Sequence, residues 1–393
     1  MNNNKPPPLA IEFKRQRAPY PEKQRGCVLM PSMGAENMPD FNDIEEGLNE
    51  EGIEVITANL AERGTIQALD WDSINVIDLS NMRGCLTSFE RYLGILDQLY
   101  DCIKCQNDKG HNIKIFPDFN DIEWISSKAK YLKHLENNFI PTIPTTTLCC
   151  VQNLDEATII TQPDNFDEML EKSQDFMDTA NTCNFVLKPS TSSLGRGLIF
   201  DNHTPEEDRY TISIPREEDQ DASQVVYSGT KDHRNYLMNY FTNTPSPDHY
   251  FLLQEYVPNI ETSAVFVDGT PHFVERLQGE KSQIAHARYG GKDTFIDNPD
   301  QKMVNFVYQV MRALPENIQN SPFLRIDVMK NTETGEYILG EIEGAGATRL
   351  WLKQADRVSD YAKMVVKMND KVIKSSPLLN PSRSKPEASE LVA

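Results

Sequence analysis

The chain has 393 residues, 39% of them hydrophobic and 25% charged, with a formal net charge of −20. A single hydrophobic core stops growing at roughly 250 to 300 residues, so this length excludes one small domain and predicts two or three packed units. The acidic balance excludes a general nucleic-acid binder, which needs clustered lysine and arginine, and any polyanion has to meet a local basic cleft.

Residues 1–24 and 374–393 lack hydrophobic periodicity and read as flexible tails. A strand beginning at Gly26 leads to a helix with Phe41, Ile44 and Leu48 on one face, and GIEVITANL follows as the next strand. SINVIDLS is a third strand, Phe89, Leu93, Leu96, Tyr100 and Ile103 stripe a long helix, and NIKIFP returns to extended structure. This alternation predicts a parallel-sheet α/β domain over 25–120.

SSKAKYLKHLENNF then reads as a helix, and the prolines of IPTIPTTTL stop it and extend the chain. A helix over 164–177, the strand NFVLKP, a glycine loop, a helix over 232–242 and the strand YFLLQEYV make a second unit over 121–260. The acidic stretch over 201–222 is expected to be a mobile surface loop. Over 261–373 two antiparallel hairpins are expected, SAVFVDG with PHFVERLQ across Asp268-Gly269 and FLRIDVMK with YILGEIEG across Thr334-Gly335. Helices at 301–313 and 355–369 are expected to cover one face of that sheet, giving an α+β unit.

Cys27, Cys85, Cys102, Cys105, Cys149, Cys150 and Cys183 form an odd set without framework spacing, so reduced thiols are the simplest reading. Cys102 and Cys105 with His111 lack a second ligand pair for zinc. MNNNKPPPLA lacks the basic and apolar regions of a signal peptide, and no run of ~18 apolar residues occurs. A cytoplasmic chain that does not span a membrane is expected.

Three segments carry chemistry. In FVLKPSTSSLGRGLIF a strand ends in Lys188 and a small-residue loop with Gly195 and Gly197 follows, which can wrap phosphates or be a plain hairpin tip. Its spacing excludes a P-loop. FLLQEYVP ends a strand with Gln254 and Glu255 before Tyr256 and Val257, whose backbone groups can meet a planar base or simply end a sheet. Arg325 and Asp327 face Glu341 and Glu343 across a hairpin. Three carboxylates together need a cation or basic partners, and hard oxygens suit Mg²⁺; a solvated edge of charge pairs is the alternative.

In this order, and with the segments QEYVPNIETSAVFVDGTPHFVERL, RYGG, RIDV and GEIEG, the chain resembles the ATP-grasp superfamily, specifically cycloserine-biosynthesis-type and bacterial glutathione-synthetase-like amide ligases, over about residues 25–370. The resemblance implies an N-terminal open parallel-sheet (pre-ATP-grasp) domain followed by a two-lobed ATP-grasp fold, with ATP between two antiparallel sheets. It implies that Lys188 contacts phosphates, that the loop with Ser193, Gly195 and Gly197 closes over them, and that Gln254, Glu255, Tyr256 and Val257 hold adenine. Glu261 would reach the ribose, Arg276, Arg288 and Arg325 would serve catalysis, and Asp327, Glu341 and Glu343 would hold Mg²⁺, with Mn²⁺ as an alternative.

In the family the lysine-bearing helix places one lysine where this chain has Ala129, between Lys128 and Lys130; Lys128 is preferred. GAGATRLWL also departs from the family after the acidic hairpin, which leaves the second metal and the amine site open. The implied activity joins a carboxylate to an amine, both amino-acid-like, through an acyl phosphate with release of ADP and phosphate. No nucleic acid or membrane partner is expected, and a homodimer stays open. The rival readings are a small-molecule kinase of the same fold and a nucleotide-binding regulatory module without turnover.

Overall fold

A computed structural model of the chain describes residues 26–32, 45, 48–50, 52–79, 89–149, 165–180, 182–191, 197–207, 209–214, 223–244, 250–278, 291–344, 360–361 and 363–368. The chain divides into two compact units, one comprising Met1–Gly84, Leu93–Phe116 and Leu352–Ala393, the other Cys85–Tyr92 and Pro117–Trp351.

The first unit is built on β1 (Gly26–Ser32), β2 (Ile53–Asn59), β3 (Val76–Asp78) and β4 (Lys114–Phe116), an all-parallel sheet in the order β2-β1-β3-β4. Val28, Leu29, Val76 and Ile77 are fully buried, the near-continuous apolar run expected of parallel strands covered on both faces. From Leu93 onward, the helix Phe89–Asp108 buries Leu96, Leu99 and Ile103, spaced by three and four residues. Tyr100, expected on that stripe, is 41% exposed, because the buried line runs through Leu99 instead. Leu48 is buried, whereas Phe41 and Ile44 lie outside the described residues.

The expected cover helix over 355–369 has a different partner. Residues 360–361 and 363–368 are helical, and Tyr361 donates its hydroxyl to Asp78 on β3 of the parallel sheet. An amphipathic pattern shows that a face must be covered, but not which sheet covers it.

The second unit holds two antiparallel sheets. The first joins β5 (Thr145–Cys149), β6 (Asn184–Pro189), β7 (Ile199–Thr204), β8 (Arg209–Ile214), β9 (Ser223–Ser228) and β10 (Tyr250–Glu255) in the order β5-β10-β6-β7-β8-β9. Helices Phe166–Thr179 and Thr230–Asn243 contribute to its core, where Phe241 meets Phe251 edge-on at 4.9 Å. The expected loop over 201–222 is replaced by strands from Ile199 to Ile214, with residues 215–222 outside the description. Buried Tyr210 and Ile212 alternate with Thr211 and Ser213, and polar outward residues hid this period of two.

The second sheet joins β11 (Asn259–Val267), β12 (Thr270–Leu277), β13 (Lys292–Ile296), β14 (Phe323–Asn331) and β15 (Tyr337–Glu343) in the order β13-β12-β11-β14-β15. Both expected hairpins form, and Asp268 and Gly269 at the first turn have φ of 47° and 81°, the pair of left-handed residues that matches strand twist. Helices Lys128–Asn137 and Gln301–Ala313 supply Tyr131, Leu135, Val307 and Val310 to the core beneath it. The two sheets are joined where Thr142, just before β5, bridges Leu339 on β15.

Candidate active site

The β14–β15 register pairs Arg325 with Glu343 and Asp327 with Glu341. Alternation puts these four side chains on one face and sends Ile326 and Ile342 into the core on the other. Immediately beyond, Val328 pairs with Leu339, so Gly340 is an extra residue in β15. This bulge lies beside the acidic pair, where bulges commonly re-aim side chains. A Cβ at Gly340 would come within 3.2 Å of the Asp327 carbonyl oxygen, which favours glycine there.

Arg325 is buried and clamps Asp327 with two donors, Nε to Oδ1 at 2.9 Å and Nη2 to Oδ2 at 2.7 Å. Its Nη1 lies 2.8 Å from Glu343 Oε2. Ser263, opposite Asp327 on β11, donates its hydroxyl to the same carboxylate at 2.7 Å. Arg276 on β12 bonds Glu261, its partner on β11, and sits 3.6 Å from Asp327 and 3.9 Å from Asp293 of β13. The three carboxylates and the guanidinium expected to converge do so, with Arg325 bonded to Asp327 and close to Glu343. Among the described residues no three Asp, Glu, His or Cys side chains gather as a metal cluster.

These contacts set the electrostatics. Burial opposes ionisation of Asp327, but Arg325 and Arg276 outweigh it and hold the carboxyl below its ordinary range. Burial pushes Glu343 up to about 7, opposed by Arg325 and reinforced by Glu341 and Asp327. Burial also raises Glu261 to about 7, with Arg276 opposing and Asp327 adding to the shift. Burial disfavours the charged Arg325, yet Asp327 and Glu343 keep its proton held more tightly than usual.

A divalent cation fits this donor set at two of the three expected residues. Glu343 Oε2 is ion-paired to Arg325 at 2.8 Å without a well-aligned hydrogen bond, and Glu341, paired through Oε1 with Lys128, shares its face with a 27% exposed side chain. Mg²⁺ typically takes one or two carboxylates and completes its shell with phosphate oxygens and water, so Glu341 and Glu343 suffice. Asp327 has both oxygens engaged by Arg325.

Across from this hairpin stand two lysines. Burial lowers Lys188 on β6 to about 8, with Glu341 and Glu261 opposing and Lys128 adding to the shift. Lys128 opens the helix Lys128–Asn137, is buried, and places Nζ 2.9 Å from Glu341 Oε1. Lys130, the other candidate on that helix, is exposed. The structure therefore brings Lys128, Lys188, Glu261, Glu341, Glu343, Arg276, Arg325 and Asp327 into one charged cluster.

Gln254 is buried in β10, two residues beyond the partner of Lys188, and donates its amide to the Thr145 hydroxyl at 2.8 Å. Glu255 and Tyr256 are half-buried, and Tyr256 was expected to keep its backbone free; its N–H instead donates to the Asn184 carbonyl at 2.8 Å. Among the described residues the Val257 N–H has no acceptor, and its carbonyl accepts from Asn259 at 2.8 Å. Gly197 adopts φ 70°, its carbonyl accepts from the Tyr240 hydroxyl, and a Cβ there would lie 2.9 Å from Thr244 Cγ2. Ser193, Gly195 and Arg288 lie outside the described residues.

Sequence reasoning missed Asp293 and the Gly340 bulge. Only the strand pairing brings Asp293 opposite Arg276, and a glycine within a strand was the one available signal of a bulge.

A parallel α/β sheet and two antiparallel sheets with their helices give the chain the ATP-grasp fold. A crystal structure of D-cycloserine synthetase DcsG is similar with a TM-score of 0.60 at 15% identity, over 87% of this chain and 99% of that one. A D-alanine–D-alanine ligase from Bacillus anthracis complexed with ATP is similar with a TM-score of 0.53 at 15% identity, over 88% and 97%. The ATP-grasp ligase PsnB, complexed with precursor peptide PsnA2 and AMPPNP, is similar with a TM-score of 0.51 at 9% identity, over 89% and 99%. No family model and no curated protein sequence matches the chain. Among the described residues, no helix is long and apolar enough to cross a membrane.

Proposed function

We propose that this chain is an ATP-dependent carboxylate–amine ligase that makes an amide or peptide bond through an acyl phosphate. The observation that supports it most is the set of cations, buried Lys128, Arg276 and Arg325 and half-buried Lys188, interleaved with half-buried Glu341 and Glu343 in one charged cluster. Lys128, Arg276 and Arg325 already pair with carboxylates, but Lys188, disfavoured as a cation by burial and by Lys128, gains from further negative charge such as a polyphosphate brings.

In this reading Lys128 and Lys188 hold the phosphates, while Gln254, Glu255 and the Val257 N–H line the adenine site. The loop with Ser193, Gly195 and Gly197 closes over the phosphates and excludes water. Glu341 and Glu343 would hold Mg²⁺ or Mn²⁺, with Asp327 behind them, and the ion supplies charge neutralisation between the phosphates. A substrate carboxylate oxygen attacks the γ-phosphorus, the bond to the bridging oxygen breaks, and ADP leaves. Arg325, held rigid by Asp327 and Glu343, and Arg276 would face the charge that develops on the acyl phosphate, and Arg288 would serve catalysis beside them. The amine nitrogen then attacks the acyl carbon, phosphate leaves with the bonding electrons, and the nitrogen gives up its proton. No covalent enzyme intermediate is required.

The test supplies ATP and Mg²⁺ with paired pools of amino acids and other carboxylates and follows free phosphate. A ligase needs both substrates for full turnover. ADP formed with one acceptor and no free phosphate would identify a kinase, and a rise in melting temperature without turnover would identify a binding module.

A further inference from the structure

The helix that carries Lys128 has no cap of its own: Ser127 stands at the N-cap position, but its side chain makes no capping hydrogen bond. The first backbone N–H groups of a helix need an acceptor, particularly when buried. Here the acceptor comes from another strand's end. Ser190, fully buried and two residues beyond Lys188, accepts the Ala129 N–H on its Oγ at 2.8 Å and the Lys128 N–H on its carbonyl at 3.4 Å. Its hydroxyl also lies 3.5 Å from the Ser127 hydroxyl. Ser190 is itself tied to the sheet, since its N–H donates to the Tyr250 carbonyl at 2.8 Å.

We propose that Ser190 is a positioning residue that caps the helix from the six-stranded sheet and so sets Lys128 against Lys188 for a shared polyphosphate. The inference rests on the reading of the two lysines as nucleotide contacts. Its physical content is a fixed spacing: the cap joins the first turn of one element to the residue just past the end of β6. Tyr131, one turn along the same helix, accepts the Ile342 N–H at 3.4 Å, and Lys128 pairs with Glu341 at 2.9 Å. The capped helix therefore also seals the open edge of β15. Loss of the Ser190 hydroxyl leaves the half-buried Ala129 N–H without that acceptor and lets the first turn fray.

Ser190→Ala is compared with Ser173→Ala, which deletes another buried hydroxyl, one that donates to Met169 at 2.7 Å in a helix of the same lobe. Mg-ATP affinity is measured by calorimetry and folding stability by urea denaturation. Ser190→Ala is expected to weaken Mg-ATP binding by about tenfold, the size of one lost buried hydrogen bond, while Ser173→Ala stays within about twofold at a similar loss of stability. In a Lys128→Ala background the Ser190 effect should vanish, because Ser190 acts through Lys128. An unchanged affinity in Ser190→Ala, or an undiminished tenfold effect without Lys128, overturns the proposal. Amide hydrogen exchange at Ala129 gives a readout independent of nucleotide, and Ser190→Ala must accelerate it by about tenfold or more. If the wild-type chain does not bind ATP, the ligase reading fails, and the exchange result alone decides the positioning role.

Discussion

Asp327→Asn is the most informative single change at the acidic hairpin, because the structure makes it a structural hub as well as a site residue. The substitution keeps the shape and removes the charge. Asp327 accepts two hydrogen bonds from Arg325 and one from Ser263, and Arg276 lies 3.6 Å away, all in buried surroundings. Asparagine can accept on one oxygen only, and its NH₂ would face a guanidinium donor. Breaking a buried ion pair from one side costs roughly 3–5 kcal/mol, because the uncompensated guanidinium stays buried. Glu341→Gln removes a carboxylate that is 27% exposed but leaves the buried Lys128 without its partner, so its cost should be about 1–2 kcal/mol. Both variants should lose turnover, but urea denaturation should separate them by roughly 1 kcal/mol or more. An Asp327→Asn protein within about 1 kcal/mol of wild type would refute the hub assignment.

Gly197→Ala should destabilise by roughly 2–3 kcal/mol, combining left-handed strain at φ 70° with contacts to Thr244 and Pro189; Thr244→Ser should recover only the share due to the Thr244 methyl, because the Pro189 contacts remain, and denaturant midpoints of the cycle check this. Phe139, with φ 59° and 89% exposure, strains its backbone at a helix C-terminus while burying little, so Phe139→Gly should raise stability by about 1 kcal/mol; a lower midpoint would count against it. Lys188 is lowered from 10.5 to about 8, so as pH rises through that value the folded protein sheds a proton the unfolded chain still holds, and stability rises toward 10.5. ATP affinity should move the other way, falling by up to about tenfold per pH unit above that point, and Lys188→Arg should flatten the profile; a wild-type affinity constant from about pH 7 to about pH 9.5 would contradict this.

Local rules made much of this protein legible. NFVLKP reads as a strand because a β-branched and aromatic run ends at a proline, and it forms β6 from Asn184 to Pro189. Asp268-Gly269 announced its hairpin because only residues that tolerate positive φ close such a turn, and the pairing of Asp327 with Glu341 followed from the second hairpin. The strands β7, β8 and β9 were missed because polar outward residues mask the alternation in β8, a buried Asp201 interrupts it in β7, and Val225 and Val226 of β9 are exposed side by side.

Turn chemistry, strand period and helix stripe lie within a few residues of one another, so the chain by itself determined the strands and helices outside β7–β9, its two C-terminal hairpins and the identity of the charged side chains on β14 and β15. Tertiary structure alone decided that Lys128 would pair with Glu341, that Tyr361 would join the parallel sheet, and that Ser190 would cap a helix 61 residues earlier. Those outcomes depend on where distant segments meet and how buried they become there, and no local periodicity carries that information.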